Sequence, residues 1–597
     1  MRITTFIASV LISVSVYGQN TVILGAGGNE PVQVFTSSDY QAPSWELLAN
    51  GSKTMNGDGL DGRLLETSRF LSQATFGADL ETIRTVSELD FEDWIDAQFD
   101  EPMSSMVEET QNVWGEVLDW YFLNGGDSSE VDFQRPYWNT FNYAWWNLNL
   151  TNSDELRQRV ALALSEIFVV SLITDLGGNA FGLSSYYDVL ARNAFGNYRD
   201  LLLDVTLHPC MGFYLSHLNN PRAIPEANIH PDENYAREVQ QLFSIGLYEL
   251  NQDGSRKTNA QGEWIPTYGQ VQIKEFAKVF TGLGLGAVMP NMYIDEPEFF
   301  VGIYLADMTV PMKMYEEWHQ QDQKNLLKGF VVPAGQTGME DINDAIDNLF
   351  NHPNVAPFIG KQLIQRLVTS NPSPGYVSRV AAAFNDNGQG VRGDMKAVIK
   401  AILLDPEART CEAIQDPGSG KLREPFVRYT HFAHAMELEQ YYGRYWNAGY
   451  GFYLATGQMP LASPSVFNFF LPEFHPNGAI ADAGLVGPEF QIHNSRTSLE
   501  FINQVNDWSV WQYMFGSWES GDPYTTVVLD ELEELARDPE VLVNHLDRVF
   551  THGALSEQTR TIIKEAIEPF IWGDYRYDRA RLALYLILIS PDYAILK

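Results

Sequence analysis

Cysteine is nearly missing from this chain: Cys210 and Cys411 are its only two in 597 residues. Two thiols allow a single bridge and exclude a disulfide framework, a multi-cysteine zinc site and cysteine-held iron–sulfur clusters. Positive charge is also scarce, with 39 Lys and Arg against 77 Asp and Glu and a net charge of −38. Such a surface offers no broad electrostatic grip on nucleic acid or anionic lipid. Beyond the first eighteen residues no run reaches the roughly 18 apolar residues of a membrane span, so no transmembrane anchor is expected. Familiar catalytic signatures are missing too: there is no Gly-x-Ser-x-Gly elbow, no His-Glu-x-x-His pair and no Cys-x-x-Cys-His haem attachment. Asp416-Pro-Gly-Ser-Gly-Lys421 ends like a phosphate loop, but Gln415 stands where its first Gly belongs and Leu422 where Ser or Thr belongs.

What is present describes a well-packed globular protein, 45% hydrophobic and 13% aromatic. Arg2 precedes a mostly apolar run to Val16, and Val16-Tyr17-Gly18 reads as a small-residue cleavage site before Gln19. Residues 1–18 are therefore expected to be a signal peptide, and the mature acidic protein to be secreted into the periplasm or the extracellular space. Residues 19–61, rich in Gly, Ser, Asn and Pro, read as a flexible tail. Asn56-Gly-Asp-Gly-Leu-Asp-Gly62 within it only faintly resembles a calcium loop, because Leu60 and Asp61 break the pattern.

Helical periodicity dominates from Gly62 onward, which gives a mainly α fold: a large multi-helix globular body with a small β-hairpin or β insertion. The organisation expected is an N-terminal helical lobe over 62–246, a β-containing insertion or lid over 247–335, and a C-terminal helical lobe over 336–597. Asn152-Ser-Asp-Glu155 reads as a capping box for a helix whose Leu156, Val160, Leu164, Ile167, Phe168 and Leu172 form one core stripe. Asp253-Gly254 and Gln261-Gly262 punctuate a hairpin, and Phe299–Tyr304 and Gly329–Val332 are strand candidates.

The centre of the chain is Asn228–Leu250. Pro231 suits a first helical turn, Asp232 and Glu233 place negative charge at the positive end of the dipole, and Gly246 supplies a left-handed stop. That predicts an amphipathic helix of about four turns. Asn234, Glu238 and Gln241 fall at i, i+4 and i+7, a row that lines either a cleft or a solvated face. His208, His217, His230, Asp232, Glu233 and Glu238 crowd the same stretch, and His319, Asp322 and Lys324 follow. Histidine with carboxylate suits a divalent metal or general acid–base work, and His208, His217 and Glu238 are the metal candidates. For the acid–base reading, Glu238 serves as base or ligand, Asn234 orients substrate and Arg237 holds an anionic group, with Asp232, Glu233 and His319 completing the set. His431 and His434, expected on a helix Glu424–Glu439, share a face with each other and nearly with Glu437, a spacing that zinc accepts.

Several longer segments together resemble one family. They are Arg69-Phe-Leu-Ser-Gln-Ala-Thr-Phe-Gly77, Asn193–Tyr198, Asp204–Pro209 with Met211-Gly212, Pro231-Asp-Glu-Asn-Tyr-Ala-Arg-Glu238 through Gln241–Leu247, Gly420-Lys-Leu-Arg-Glu-Pro425 and Pro464–Phe470. In this order they are similar to the secreted bacterial family called domain of unknown function 1800. The resemblance implies an exported, mostly helical protein and a partner from the domain of unknown function 1501 family, which looks like a sulfatase or phosphatase relative. It supplies no catalytic residues. That family commonly sets His and Asp side by side before a Lys near position 319, whereas two Gln separate His319 from Asp322 here. Two readings stand: an enzyme with a polar or metal-binding cleft around Pro231–Glu238 acting on an extracellular substrate, or a non-catalytic export or surface-assembly factor. The second would hold a partner protein or polysaccharide through the aromatic stretch 440–453.

Overall fold

A computed structural model describes residues 61–127, 135–290, 294–410, 418–440, 444–445, 449–514 and 525–597. The expected signal peptide, nearly all of the tail with its calcium-like loop, Cys411 and part of the aromatic stretch 440–453 lie outside the described residues. Those described fall within one compact unit. The protein is mainly α-helical, and its β structure consists of antiparallel sheets of two or three short strands. No described helix is long and apolar enough to cross a membrane.

Helix starts follow local chemistry. The Asp61 carboxylate accepts from Arg63 N to open the helix Gly62–Ala74, and Asp79 accepts from Thr82 N to open Leu80–Ser87. Behind these caps the core is strongly aromatic. Trp145 and Trp146, fully buried on the helix Trp138–Thr151, meet edge to face at 4.8 Å and pack on Phe426 and Tyr429 of the helix Pro425–Ala435. Distant parts of the sequence thus share one core, which also takes in residues of the expected insertion such as Phe276, Leu283 and Met312.

Several expectations need correction. The capping box at Asn152–Glu155 does not form: Asp154 precedes the helix Glu155–Ser165 without capping it, and its carboxylate accepts from Ser104 N and Gln158 Nε2 instead. That helix stops at Ser165, so Ile167, Phe168 and Leu172 are buried beyond its end. The central helix is also shorter than expected, Asn234–Gln241, because Pro231–Glu233 form an entry turn in which Asp232 Oδ1 accepts from Asn234 N. After Gln241 the chain closes through wider turns, with Ile245 N and Gly246 N both donating to Gln240 O, and Gly246 adopts the expected left-handed stop at φ +68°. The helix Pro425–Ala435 ends before Glu437, which enters a strand, Glu437–Gln440, paired with Thr525–Val528.

The segment after Gly246 carries its hairpin as bridges Tyr248 to Pro266 and Thr258 to Trp264, then the helix Gln270–Val279. Leu283–Gly284 pairs with Lys313–Met314, and Lys324–Asn325 with Val331–Val332, the latter inside the expected strand Gly329–Val332. Phe299–Tyr304 is not a strand: Phe300 sits at φ +72° and a 3₁₀ turn follows at Ile303–Leu305.

Candidate active site around Glu238

The short helix Asn234–Gln241 buries Tyr235, Ala236 and Val239 because they share its inner side. Along the row, Asn234 is exposed, Glu238 is buried and Gln241 is half-buried, so the row is deepest at Glu238. Glu238 is 6% exposed, and its Oε2 has no hydrogen-bond partner. Burial raises its pKa above the usual carboxyl value, partly opposed by the Arg237 charge. Tyr214 and Tyr268 lie within the field of this carboxylate. Each phenol is pushed up to about 12, first by burial and then by Glu238, and the Tyr268 hydroxyl is buried without a partner. Unsatisfied polar groups like these are uncommon in folded proteins and concentrate where a ligand or water completes them.

The more exposed residues around Glu238 are polar and conformationally constrained. Asp232 N donates to Asn220 Oδ1, and Asn234 Nδ2 reaches Ser216 Oγ at 3.5 Å. Arg237 pairs with Glu233 at 3.4 Å, and Gln270 Nε2 donates to the same Glu233 oxygen at 2.5 Å. Ser216, Asn219 and Asn228 all hold positive φ, at +63°, +60° and +54°. Asn219 Oδ1 accepts from Phe300 N, tying in a fourth residue of that kind. Backbone held in such sparsely populated regions costs energy and clusters at functional sites.

The expected histidines do not join Glu238. His208 opens the helix Pro209–Tyr214, its Nδ1 accepting from Cys210 N at 3.2 Å while Nε2 lies 3.3 Å from Ser185 Oγ. His217 stacks on Tyr235 with ring centroids 3.9 Å apart and donates from Nε2 to Thr206 O at 2.9 Å. The proposed metal set of His208, His217 and Glu238 is therefore not formed. Among the described residues no three His, Cys, Asp or Glu side chains are grouped to hold a metal ion. His319 is fully buried elsewhere, its Nδ1 donating to Thr281 O and its Nε2 bonded to Asp341. His431 and His434 part company as well: His431 Nδ1 accepts from Arg423, and His434 Nε2 donates to Asn149 O.

A second polar assembly escaped the sequence reading. Arg159, Glu166, Arg366, Lys421, Glu424 and Glu489 are all buried, three cations with three carboxylates. Lys421 Nζ lies 3.1 Å from Glu489 and 3.4 Å from Glu424, and Gln458 Nε2 donates to Glu424 at 2.8 Å. Burial and the neighbouring Glu424 charge hold Glu166 well above the usual carboxyl range, whereas for Glu424 burial is outweighed by Lys421, the Glu166 hydrogen bond, Arg159 and Gln458 together, which bring it down to about 2. One sequence signal was available, the charged run Lys421-Leu-Arg-Glu424.

Both assemblies are built from segments that resembled a single family, Pro231–Glu238 and Gly420–Pro425. The model of that family, described as a protein of unknown function, DUF1800, matches residues 69–595. The chain belongs to the DUF1800 family. The match covers the DUF1800 segments on both sides of the Glu238 site as well as the site itself. No curated protein and no solved structure matches the chain.

Proposed function

We propose that this DUF1800 protein is an exported enzyme of acid–base chemistry in which Glu238 transfers the proton. One observation carries the reading: a nearly buried carboxyl with an unpartnered Oε2 and a raised pKa, flanked by two tyrosines. Ion-paired structural carboxylates are pulled down, whereas proton-transfer carboxyls are raised toward the working pH by burial. Asn234 and Arg237 are the more exposed neighbours on the same helix, and in this reading they orient a substrate and hold an anionic group on it. Asp232 builds the entry turn, and Glu233 positions Arg237. His319 takes no part in this reading, because both its ring nitrogens are committed to structural bonds.

The test is a screen of the mature protein against polysaccharides, esters and phosphoesters, wild type beside Glu238→Gln. A turnover that falls by about 10² to 10⁴ in the folded variant supports the reading. Equal turnover in the two proteins, or none with any substrate, goes against it.

The second reading, an export or surface-assembly factor, is favoured by a different observation. Trp511 and Trp572 are 67% and 85% exposed, and their segments are joined by Tyr577 OH donating to Gln512 at 2.6 Å. Exposed indoles of that kind suit a protein or polysaccharide partner, including a member of the domain of unknown function 1501 family. Loss of partner capture in Trp572→Ala, with catalysis absent, selects it.

A further inference from the structure

A small opening lies between the helix Pro425–Ala435 and the start of the helix Ser495–Ser509, and it shares no residue with the Glu238 site. Its room is about 10 Å³, enough for one water. Arg428, Thr456, Glu489, Ile492 and His493 are among the residues around it. Glu489 is 2% exposed, its Oε1 meets Lys421 Nζ at 3.1 Å, and its Oε2 has no partner. Arg428 is equally buried and donates from Nε to Arg423 O at 2.8 Å, while no hydrogen bond among the described residues engages its two terminal nitrogens. Thr456 Oγ1 donates to Phe452 O at 2.8 Å and keeps a lone pair with which to accept. A buried water needs roughly two to four polar partners, and these three groups supply a donor and two acceptors. Left dry, the guanidinium and the carboxylate oxygen would each bear the desolvation penalty of an unmade bond.

Glu489 is also the outermost carboxyl of the buried cluster. It borders this space, and Glu166 and Glu424 do not. The charged groups facing it come from several elements: Lys421 on the strand Lys421–Leu422, Glu424 before the helix Pro425–Ala435 and Arg428 within it, Arg159 on the helix Glu155–Ser165, and Arg366 on the helix Val355–Leu367. Burial outweighs the attraction of these cations and, helped by the Glu424 charge, holds the Glu489 carboxyl above its ordinary value. Its charge therefore responds to pH, and Lys421 carries any change inward, because its Nζ also lies 3.4 Å from Glu424. His493 adds no charge at neutral pH, since burial and the Arg428 guanidinium hold it down to about 4.

We propose that this space holds one water, bound by Arg428, Thr456 Oγ1 and Glu489 Oε2, and that this water is the port through which the buried cluster gains and loses its proton at Glu489. The water takes a proton from the solvent side and releases one to Oε2, so it is regenerated in the step. The reverse step discharges the carboxyl.

A crystal structure of the whole mature protein, at a resolution that shows ordered water, tests the site. One water within hydrogen-bond reach of Glu489 Oε2 and an Arg428 terminal nitrogen is expected, and a dry space overturns the proposal. Transfer into D2O tests the port. The protonated carboxyl band of Glu489, recorded below its titration midpoint and recognised by its loss in Glu489→Gln, should shift as the proton exchanges. In Ile492→Trp, which fills the space from the half-exposed rim and leaves Arg428 and Glu489 in place, exchange has to await local opening of the fold and should slow by about tenfold. Thr456→Val serves beside it: it removes one partner of the water with little change of shape and should slow the shift in the same direction. An unchanged rate in either variant, once folded, overturns the port. Neither result touches Glu238, which stands or falls by its own variant.

Discussion

His319 Nε2 stands 2.9 Å from Asp341 Oδ2 in the fully buried interior, and Lys324 Nζ meets the same carboxylate oxygen. The aspartate that His319 lacks beside it in sequence is thus supplied from 22 residues further on. Thr281, His319, Lys324 and Asp341 tie the segment after the helix Gln270–Val279 to the helix Gly338–Phe350. Removing one partner of a buried set leaves an uncompensated charge, so Asp341→Ala should destabilise the protein by about 3–5 kcal/mol. Urea unfolding measures it, and a loss below about 1 kcal/mol would refute the clamp.

Glu155 gives a pH signature on the alkaline side. Burial, then the charges of Asp79 and Asp154, raise it to about 7. A carboxyl with a folded pKa above its unfolded value holds an extra proton in the native state, so stability declines as pH rises from about 4.5 to about 7. Glu155→Gln should remove that decline and gain on the order of 2 kcal/mol at pH 8. Thermal unfolding across that range checks the sign, and an identical slope in the variant contradicts it.

His208 and His217 act in the opposite direction. Burial lowers them to about 3 and about 4, and each is neutral in the fold. The unfolded chain binds protons at these positions below about pH 6.5, so their contribution is present above that value and lost as pH falls through it. His217→Gln should unfold less steeply with acid between about pH 6.5 and 4 than the wild type. Equal acid sensitivity would mean that the Tyr235 stack does not exclude the proton.

Glu238→Gln should leave the protein more stable at neutral pH by about 0.5–2 kcal/mol while removing activity, the exchange seen when a strained catalytic group is neutralised. Denaturant midpoints and turnover, measured on the same preparations, give both halves. A destabilised variant would mark Glu238 as structural.

The mainly α fold was legible because helical periodicity is a local property of the chain. Gly246 as a stop was legible for the same reason. Less visible was anything fixed by tertiary packing. Pro231–Glu233 had the composition of a first turn, yet the Asp232 hydrogen bond to Asn234 N makes them an entry turn. Phe299–Tyr304 had the residues of a strand, but Asn219 pins Phe300 at positive φ. For the candidate site, spacing identified Glu238 and the row from Asn234. Tyr214 and Tyr268 were missed because they come from either side of the helix, and nothing in the local pattern connects them to it. The histidines failed as ligands because both ring nitrogens of His208 are taken by an amide and a hydroxyl, and His217, whose Nδ1 has no partner, is held by its Tyr235 stack and its bond to Thr206 O, facts spacing does not carry.

The account rests on Glu238 as an unpaired carboxyl, and difference infrared titration of the wild type against Glu238→Gln measures that group alone. A protonated carboxyl band that persists above the ordinary range for glutamic acid and vanishes in the variant is the predicted result. A Glu238 that ionises with the bulk carboxylates would contradict the assignment.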